Sequence, residues 1–312
     1  MLAVITLNYN LHKHTIDCVN SILASDYSNF NVYLVDNGSE QADFKLLCKA
    51  FNYTYKVKIL RINSNVGYVR GVNFGIETAQ IDNPSWYLIM NNDTVIDKYA
   101  IGYLVDTAVR YDNRAIVSGK VYYYDHPDIL QHTGVIFKDH RYMTTYYPCK
   151  NEKDTGQCDE EAERDSLDDV FWLLPVQLVK DVGFYCDYFF LYAEQGDYAQ
   201  RARRKGYKLI YTPQAKIWHK ESMTTGAGNA KALPVYYYRG QGRFIFQYRN
   251  LKTRYFIVIT IWNITTLLVK TLITKGYQRK CTVAICRGYL WGLKWMFNKK
   301  PNDGYNPYLN KN

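Results

Sequence analysis

Residues 2–10, LAVITLNYN, decide the fold class of this chain. The first six are an uninterrupted apolar run, which is typical of a strand buried on both faces of a parallel sheet. The polar residues Asn8, Tyr9 and Asn10 follow at the carboxyl end of that strand. Open α/β sheets bind ligands outside the carboxyl ends of their strands, so the sequence predicts a binding site at this turn.

The same alternation of strand and helix continues outward from this stretch. Hydrophobic spacing predicts helices at 14–24, 40–51 and 66–79, and strands at 31–35, 57–62 and 86–90. This order is typical of βαβ units, so we expect an α/β fold with a mostly parallel sheet flanked by helices.

Polar clusters end three of the predicted strands. They are residues 8–10, 36–39 and 91–93. One such cluster is an ordinary turn as often as a site, but three at successive strand ends favour one shared site.

A glycine-rich segment, residues 63–75, lies between two of these clusters. Its three glycines are four residues apart, so tight packing of a helix on the sheet would explain them, but not Arg70 and Asn73 beside them. An arginine near a helix N-terminus suits a phosphate, although neither the dinucleotide nor the P-loop pattern is present.

Two carboxylates, Glu194 and Asp197, follow an aromatic run at the start of another predicted helix. Acidic residues in a first helical turn also stabilise the helix dipole. An acid held against aromatic surface, however, is in the environment that raises its pKa toward general-base duty. Further on, a strand at 208–212 leads to His219, which becomes a metal-ligand candidate only if Asp93 is close to it.

Charge divides the chain unequally. The formal net charge is +10, yet residues 222–302 contain fourteen Lys and Arg and no Asp or Glu, which leaves the preceding part mildly acidic. The seven cysteines include no C-x-x-C pair, which predicts reduced thiols in a cytosolic compartment and argues against zinc. No secretory signal is expected.

Taken in order, these segments resemble glycosyltransferase family 2, inverting enzymes of the GT-A fold, and most closely its rhamnosyltransferase-like branch. The resemblance covers residues 2–225 and implies a catalytic domain at 1–225, with a nucleotide-sugar half at 1–95 and an acceptor half at 96–225. Residues 226–312 would be a basic, amphipathic helical region. The resemblance, together with the phosphate argument for Arg70, assigns the nucleotide sugar to Asn8, Tyr9, Asp36, Asn65, Gly67, Arg70, Asn73, Asn91 and Asn92.

The resemblance also implies a divalent cation. Residues 90–94 are similar to the family's metal motif with Asn91 in place of its first aspartate, which leaves Asp93 as a ligand. Residues 218–222 are similar to a late segment whose His219 completes the metal site in some relatives. Both ligand types suit Mg²⁺ or Mn²⁺ held mainly by the donor's diphosphate.

Two segments depart from the family pattern. Gln195 stands at the usual base position, so the base must be Glu194 or Asp197, or the chain is weakly active. Residues 169–175 stand where small residues, typically Gly-Ala, precede a strand. Phe171 and Trp172 would then reshape the acceptor pocket or stack on a sugar ring.

The basic region contains two apolar segments, 255–269 and 281–297. The first is an uncharged run of fifteen, short of the roughly 20 residues that span a bilayer. Both are interpreted as helices in a membrane interface, so residues 239–300 would bind an anionic membrane surface. The alternative is that the first helix packs against the catalytic domain.

These observations predict a cytoplasmic enzyme, peripheral on the inner face of the plasma membrane. It would move a rhamnose- or galactofuranose-like sugar from a nucleotide-diphosphate donor to a lipid-linked or growing bacterial surface glycan. The alternative, motivated by Gln195, is a nucleotide- or glycan-binding protein with weakened catalysis. No nucleic-acid partner is expected, because the basic residues alternate with aliphatic runs rather than with a base-stacking surface.

Overall fold

The computed structural model describes residues 1–220 and 233–309. The strands in these ranges are β1 (Leu2–Asn8), β2 (Phe30–Asn37), β3 (Val57–Ile62), β4 (Trp86–Met90), β5 (Thr94–Ile96), β6 (Ala115–Tyr123), β7 (Leu130–His132), β8 (Ile136–Asp139), β9 (Thr144–Tyr146), β10 (Ala162–Glu163), β11 (Phe171–Pro175) and β12 (Lys208–His219). The helices are α1 (His12–Leu23), α2 (Gln41–Phe51), α3 (Gly67–Ala79), α4 (Ala100–Arg110), α5 (Val176–Val182), α6 (Glu194–Arg204), α7 (Leu233–Asn250), α8 (Thr253–Ile273) and α9 (Gly276–Asn298), with a 3₁₀ turn at Gln80–Asp82.

One mixed sheet organises the molecule. Its strand order is β10-β12-β6-β11-β4-β1-β2-β3, with β5 paired to β12 and β7 paired to β6. Strands β4, β1, β2 and β3 are mutually parallel, as predicted. Strand β11 enters antiparallel between β4 and β6, and β6 and β12 are again parallel to each other, so the sheet is mostly parallel, as expected.

Apolar side chains on both faces of the sheet bury it between helices. Residues 2–5 of β1 are completely inaccessible, as an uninterrupted apolar strand predicts. One face packs on α1, α2 and α4, and the other on α3, α5 and α6. Helix α3 approaches closely because a Cβ on Gly71 would lie 2.4 Å from Leu7, so tight helix packing accounts for that glycine.

Most sequence-predicted elements agree with the structure to within about two residues, with one functional exception. Strand β12 was expected to end at Thr212 but continues to His219. The register of its pairing with β6 shifts between Thr212 and Lys216, and the strand then resumes beside β5. This irregularity carries His219 to the edge of the sheet where the polar strand ends lie.

A hairpin-rich excursion separates β6 from β11. It contains β7 to β10 and a disulfide between Cys149 and Cys158. The expectation of reduced cysteines is therefore wrong for this pair. The two cysteines are nine residues apart, so their pairing depends on how the excursion folds and is not readable from Cys-x-x-Cys spacing.

Helix α7 packs against both α6 and α9 through small residues. A Cβ on Gly240 would meet the backbone oxygen of Ile285 at 2.2 Å, and one on Gly288 would meet that of Tyr237 at 2.0 Å. The predicted boundary at 225/226 lies outside the described residues, as do Glu221 and Ser222, so the division into 1–225 and 226–312 stays a prediction.

Helix α8 is the most exposed apolar element of the described chain. It has 21 residues, so by length and composition alone it could cross a membrane, and the expectation that its apolar run is too short is wrong. Only Asn263 and Leu267 are buried. Asn263 donates to Gln247 and lies 3.2 Å from the Tyr289 hydroxyl, which ties α8 to α7 and α9.

Candidate functional site

The carboxyl ends of β1, β2 and β4 meet at one edge of the sheet. Asn8 pairs in register with Asp36, and its Nδ2 lies 2.9 Å from an Asp36 carboxylate oxygen. The Thr15 hydroxyl donates to Asn8 Oδ1 and accepts from Asn92 Nδ2 at 2.7 Å. One hydrogen-bond network therefore connects the polar clusters of β1, β2 and β4.

These strand ends open into a cleft of about 460 Å³. Nine of the sequence-predicted site residues line it: Asn8, Tyr9, Asn65, Gly67, Asn91, Asn92, Asp93, Glu194 and His219. The structure therefore brings together residues up to 211 positions apart in the sequence, from Asn8 to His219.

Asp93 and His219 form the pair that the metal prediction requires. Asp93 Oδ1 lies 3.1 Å from His219 Nε2, and both side chains are buried. Burial raises the pKa of Asp93, but the hydrogen bond and charge of His219 outweigh it, so that pKa lies below its usual value. His219 Nδ1 lies 2.8 Å from Gln131 Oε1, the kind of second contact that orients a metal-binding imidazole.

The Asp93–His219 pair fits Mg²⁺ or Mn²⁺ in the type of its ligand atoms, but it does not supply enough of them. A carboxylate oxygen and an oriented imidazole nitrogen both suit these ions. Across residues 1–220 and 233–309, however, no group of three or more His, Cys, Asp or Glu side chains is placed to hold a metal. Asp93 and His219 would thus supply only part of the ligands that such an ion requires.

Glu194 enters the cleft from a backbone turn of unfavourable geometry. Tyr192 and Ala193, just before α6, both have φ of 72°, a region that non-glycine residues rarely adopt. A Cβ on Gly242 of α7 would lie 2.3 Å from the Tyr192 oxygen, so α7 packs directly on this turn. Strained backbone held by close packing is typical of functional sites.

The Glu194 side chain is 4% exposed. Within the described part of the chain, its Oε2 has no hydrogen-bond partner. Burial, followed by the charge of Asp169, raises the pKa of Glu194 well above its usual value. The carboxyl is therefore placed and tuned as a proton acceptor would be.

Asp197 does not line the cleft, which corrects its assignment as an alternative base. Its carboxylate accepts from Arg249 Nε at 2.8 Å, Arg201 Nε at 3.0 Å and Asn250 Nδ2 at 3.0 Å. Asp197 is fully buried, and with these donors it joins α6 to α7 outside the cleft lining.

Phe171 and Trp172 also do not reach the cleft. Both side chains are completely buried in β11, one on each face of the sheet. Trp172 Nε1 donates to the Tyr185 hydroxyl at 2.9 Å. A sugar ring therefore cannot stack on either residue, and only the alternative that they shape the pocket from behind stays a prediction.

Three predicted nucleotide-site residues lie outside the cleft lining. Asp36 is buried behind Asn8 and accepts from the Ser39 backbone N–H at 3.2 Å. Asn73 exchanges hydrogen bonds with the backbone of Tyr185. Arg70 lies on α3 and does not line the cleft, so its assignment as the phosphate neighbour is not supported by this geometry.

The cleft contains residues that sequence reasoning did not assign: Asn37, Tyr68, Gln131, His132, Tyr147, Lys150, Asp168, Asp169, Tyr192, Gln195 and Arg239. Arg239 comes from α7 and lies 5.0 Å over the Tyr192 ring, while Lys150 comes from the disulfide-bearing excursion. The complete lack of acids in 222–302 is the one sequence signal for Arg239, and the same signal also favours membrane binding.

A mixed sheet with its parallel strand ends opening on one polar cleft, beside an Asp–His pair, defines a GT-A-like α/β protein. Residues 3–163 match the model of Glycosyl transferase family 2, which is more than half of the chain. The chain therefore belongs to glycosyl transferase family 2.

Individual proteins resemble the chain over different extents. Glycosyltransferase GlyG of Streptococcus pneumoniae serotype 4 is 28% identical over 129 residues, which are 41% of each chain. N-acetylglucosaminyl-diphospho-decaprenol L-rhamnosyltransferase of Mycobacterium tuberculosis is 24% identical over 259 residues, 76% of this chain and 81% of that protein.

Among solved structures, GalNAc-T7 with UDP, GalNAc and Mn²⁺ superposes with a TM-score of 0.59 at 13% identity. The superposition covers 70% of this chain and 43% of the GalNAc-T7 chain, and it supports the assignment of the fold.

Proposed function

We propose that this chain is a metal-dependent, inverting glycosyltransferase. It transfers a sugar from a nucleotide-diphosphate donor to a lipid-linked or growing bacterial surface glycan. The observation that carries the proposal is that Asp93, His219 and Glu194 line the same cleft at the carboxyl ends of the strands. A cation-binding pair and a proton acceptor are the two functions that a single displacement requires.

The donor's nucleotide would lie against the β1 and β2 ends. Tyr9 is 37% exposed in the cleft and offers a ring to the base, while Asn8, Asn65, Asn91 and Asn92 offer amides to sugar and phosphate. Arg239 and Lys150 are the cations of the cleft wall and replace Arg70 as neighbours for the diphosphate.

Asp93 and His219 would hold the divalent cation. Bound Mg²⁺ or Mn²⁺ would offset the negative charge that develops on the leaving diphosphate. The relative crystallised with UDP and Mn²⁺ supports this choice of ion.

Glu194 would take the proton of the acceptor hydroxyl. The freed oxygen then bonds to the anomeric carbon, and the bond from that carbon to the diphosphate oxygen breaks, with its electron pair leaving on the nucleoside diphosphate. Attack opposite to the leaving group inverts the anomeric centre.

One relative supports a proposal for the sugar and the acceptor. The mycobacterial relative is named as a rhamnosyltransferase acting on a saccharide linked through diphosphate to a polyprenol. We therefore propose a rhamnose- or galactofuranose-like donor sugar and an acceptor carried on a lipid diphosphate.

Helix α8 would hold the enzyme on the inner face of the plasma membrane. Its outward side chains include Trp262, which is 66% exposed, and Leu272, which is 79% exposed. Helix α9 packs beside α8 and exposes four cations: Arg279, Lys280, Arg287 and Lys294. A helix with these charges is costly to place in hydrocarbon, so the pair suits an anionic interface better than a span.

The membrane proposal can be tested with vesicles. Replacing Ile261 and Trp262 by serine should weaken binding of the full chain to phosphatidylglycerol vesicles about tenfold or more. The control Tyr53→Ser removes an aromatic that is 96% exposed elsewhere and should leave binding unchanged. Equal vesicle binding by both variants would remove α8 as the anchor.

A second function has one observation in its favour. Gln195 lines the cleft where the family resemblance implies an acid, and an amide cannot accept a proton at neutral pH. A protein that binds nucleotide or glycan without catalysis would have this feature.

A transfer assay separates the two functions. The purified full chain is supplied with UDP- and dTDP-linked hexoses, Mn²⁺ and a short-chain prenyl-diphospho-N-acetylglucosamine. We expect transfer with inversion of the anomeric configuration, followed by NMR, and loss of transfer in Asp93→Ala protein that remains folded. Asp26→Ala, which removes a surface partner of Lys98, should keep full activity. Nucleotide binding without turnover for every donor would favour the binding protein.

A further inference from the structure

The cleft contains an acidic group that the proposed reaction leaves without a function. Four carboxyl groups line it: Asp93, Asp168, Asp169 and Glu194. Asp93 contacts His219, and Asp168 lies 3.7 Å from His132. Asp169 and Glu194 remain, and both are almost completely buried.

The start of β11 places Asp169 at the reacting edge of the sheet. Phe171 pairs with Met90, and the Asn91 N–H donates to the Val170 carbonyl at 2.9 Å. Asp169 therefore lies just beyond the carboxyl end of β4, beside residues 91–93. Strand β11 is antiparallel to β4, which is why its first residues, and not its last, reach this edge.

An aromatic hydroxyl holds the Asp169 carboxylate. Tyr185 Oη donates to Asp169 Oδ2 at 3.2 Å and itself accepts from Trp172 Nε1. Tyr185 also stacks on Tyr198 of α6 with centroids 4.8 Å apart, so Asp169 and the helix that begins at Glu194 share one rigid support.

The two carboxyls influence the same neighbours. After burial, the charges of both Asp169 and Glu194 raise the pKa of Tyr68 and of Tyr185. Burial, followed by the charge of Asp168, raises the pKa of Asp169 to about 7. Like charges do not form easily together in a buried site, and the charge of Asp169 is, after burial, the largest cause of the raised pKa of Glu194.

We propose that Asp169 is a positioning residue that tunes Glu194, so that the two carboxyls accept the acceptor's proton as one pair. The inference rests on the proposed function, in which Glu194 is the base. Glu194 Oε2, which lacks a partner among the described residues, is the oxygen that takes the proton. Asp169 makes Glu194 a stronger base than an isolated carboxylate. It thereby compensates for the amide at Gln195.

Other charged and titratable groups face the pair from each surrounding element. They are Tyr9 after β1, Tyr68 on α3, Asp93 after β4, His132 on β7, Tyr147 and Lys150 in the excursion, Asp168 before β11, Tyr185 and Tyr192 before α6, His219 on β12, and Arg239 on α7. Because substituting Asp169 leaves all of them in place, a change in pH dependence on that substitution reports the Asp169 carboxylate.

The pH profile of transfer tests the tuning. With the donor selected by the transfer assay, Asp169→Asn should move the acidic limb of kcat/KM to lower pH and reduce kcat by about tenfold to a hundredfold. Asp169→Glu, which keeps the charge, should retain the wild-type limb. An unchanged limb in Asp169→Asn would overturn the proposal. The exposed carboxylate of Glu77 on α3 provides the control Glu77→Gln, which should leave the profile unaltered.

A titration without any donor separates this proposal from the proposed function. Carbon-13 NMR of carboxyl-labelled full chain, assigned by difference from Glu194→Gln, reports the Glu194 proton directly. Its titration should move to lower pH in Asp169→Asn and stay in place in Asp169→Glu. If no donor is turned over but this shift is present, the pair stands and the transferase proposal fails. If transfer occurs without the shift, the pair fails and the transferase proposal stands.

Discussion

Two carboxylates within one turn of α6 have opposite environments. Asp197 accepts hydrogen bonds from Arg249, Arg201 and Asn250, so both of its carboxylate oxygens have partners. Glu194, three residues earlier, lines the cleft and has an oxygen without a partner in the described residues. Both are buried, so burial alone does not distinguish a structural acid from a reactive one.

The difference lies in which groups the rest of the fold supplies. Helix α7 contributes Arg249 and Asn250 to Asp197, and it contributes Gly242 to the turn before Glu194. The same helix therefore neutralises one acid and supports the other. Residues beyond 233 therefore contribute to the structure of the site, in addition to any membrane binding.

The largest expected effect is on catalysis at Glu194. Glu194→Gln should lower kcat of transfer by about 10²- to 10⁴-fold, because a general base contributes that much. Its melting temperature should not fall, since the change removes a buried carboxyl whose charged form is disfavoured. Steady-state rates and calorimetry on one preparation check both points. Wild-type turnover in this variant would show that Glu194, like Asp197, is a structural carboxylate and not the base.

The next effect is on stability at Asp197. Asp197→Ala leaves Arg249 and Arg201 without their buried partner, which should lower the free energy of unfolding by about 3–5 kcal/mol. The surface control Asp26→Ala should cost at most about 1 kcal/mol. Urea unfolding measures both. If Asp197→Ala lost activity while its free energy of unfolding stayed at the wild-type value, Asp197 would have a catalytic role.

A smaller effect concerns the pH dependence of stability at Asp169. The pKa of this carboxyl is raised from 3.8 to about 7 in the folded chain, so its contribution to stability is complete below pH 4 and is lost as pH rises to 7. Asp169→Asn lacks this loss. The variant should therefore gain stability relative to wild type between pH 4 and pH 8, by on the order of 2 to 4 kcal/mol. If the free energy of unfolding in urea changed with pH equally in Asp169→Asn and in wild type, the raised pKa of Asp169 would be contradicted.

The nucleotide half of the fold could be predicted from the sequence because its signals are local. The apolar runs of β1, β2 and β4 and the polar residues after them need only strand alternation and the rule for open sheets. The Asp93–His219 contact needed the family resemblance as well, because it depends on the irregular extension of β12.

The remaining site depends on contacts that sequence spacing does not record. Phe171 and Trp172 lie in a segment that departs from the family pattern, which makes them look like site residues. Strand β11 is buried on both faces, however, and only the residues before it reach the cleft. Asp169 and Arg239 come to the cleft through antiparallel insertion of β11 and packing of α7. Neither event has a local motif.

Nucleotide binding calorimetry tests the central claim, that Asp93 and His219 in this cleft hold a cation for a nucleotide-diphosphate donor. Wild-type chain is titrated with UDP and with dTDP, in Mn²⁺ and in EDTA, beside Asp93→Ala. Mn²⁺ should strengthen the binding of one of the two nucleotides to the wild-type chain by about tenfold or more, and it should not strengthen binding to Asp93→Ala. An effect of this size is expected because even residues that only hydrogen-bond to metal ligands change metal affinity by about 10- to 100-fold. Equal affinity with and without Mn²⁺, or in the variant, would contradict the account.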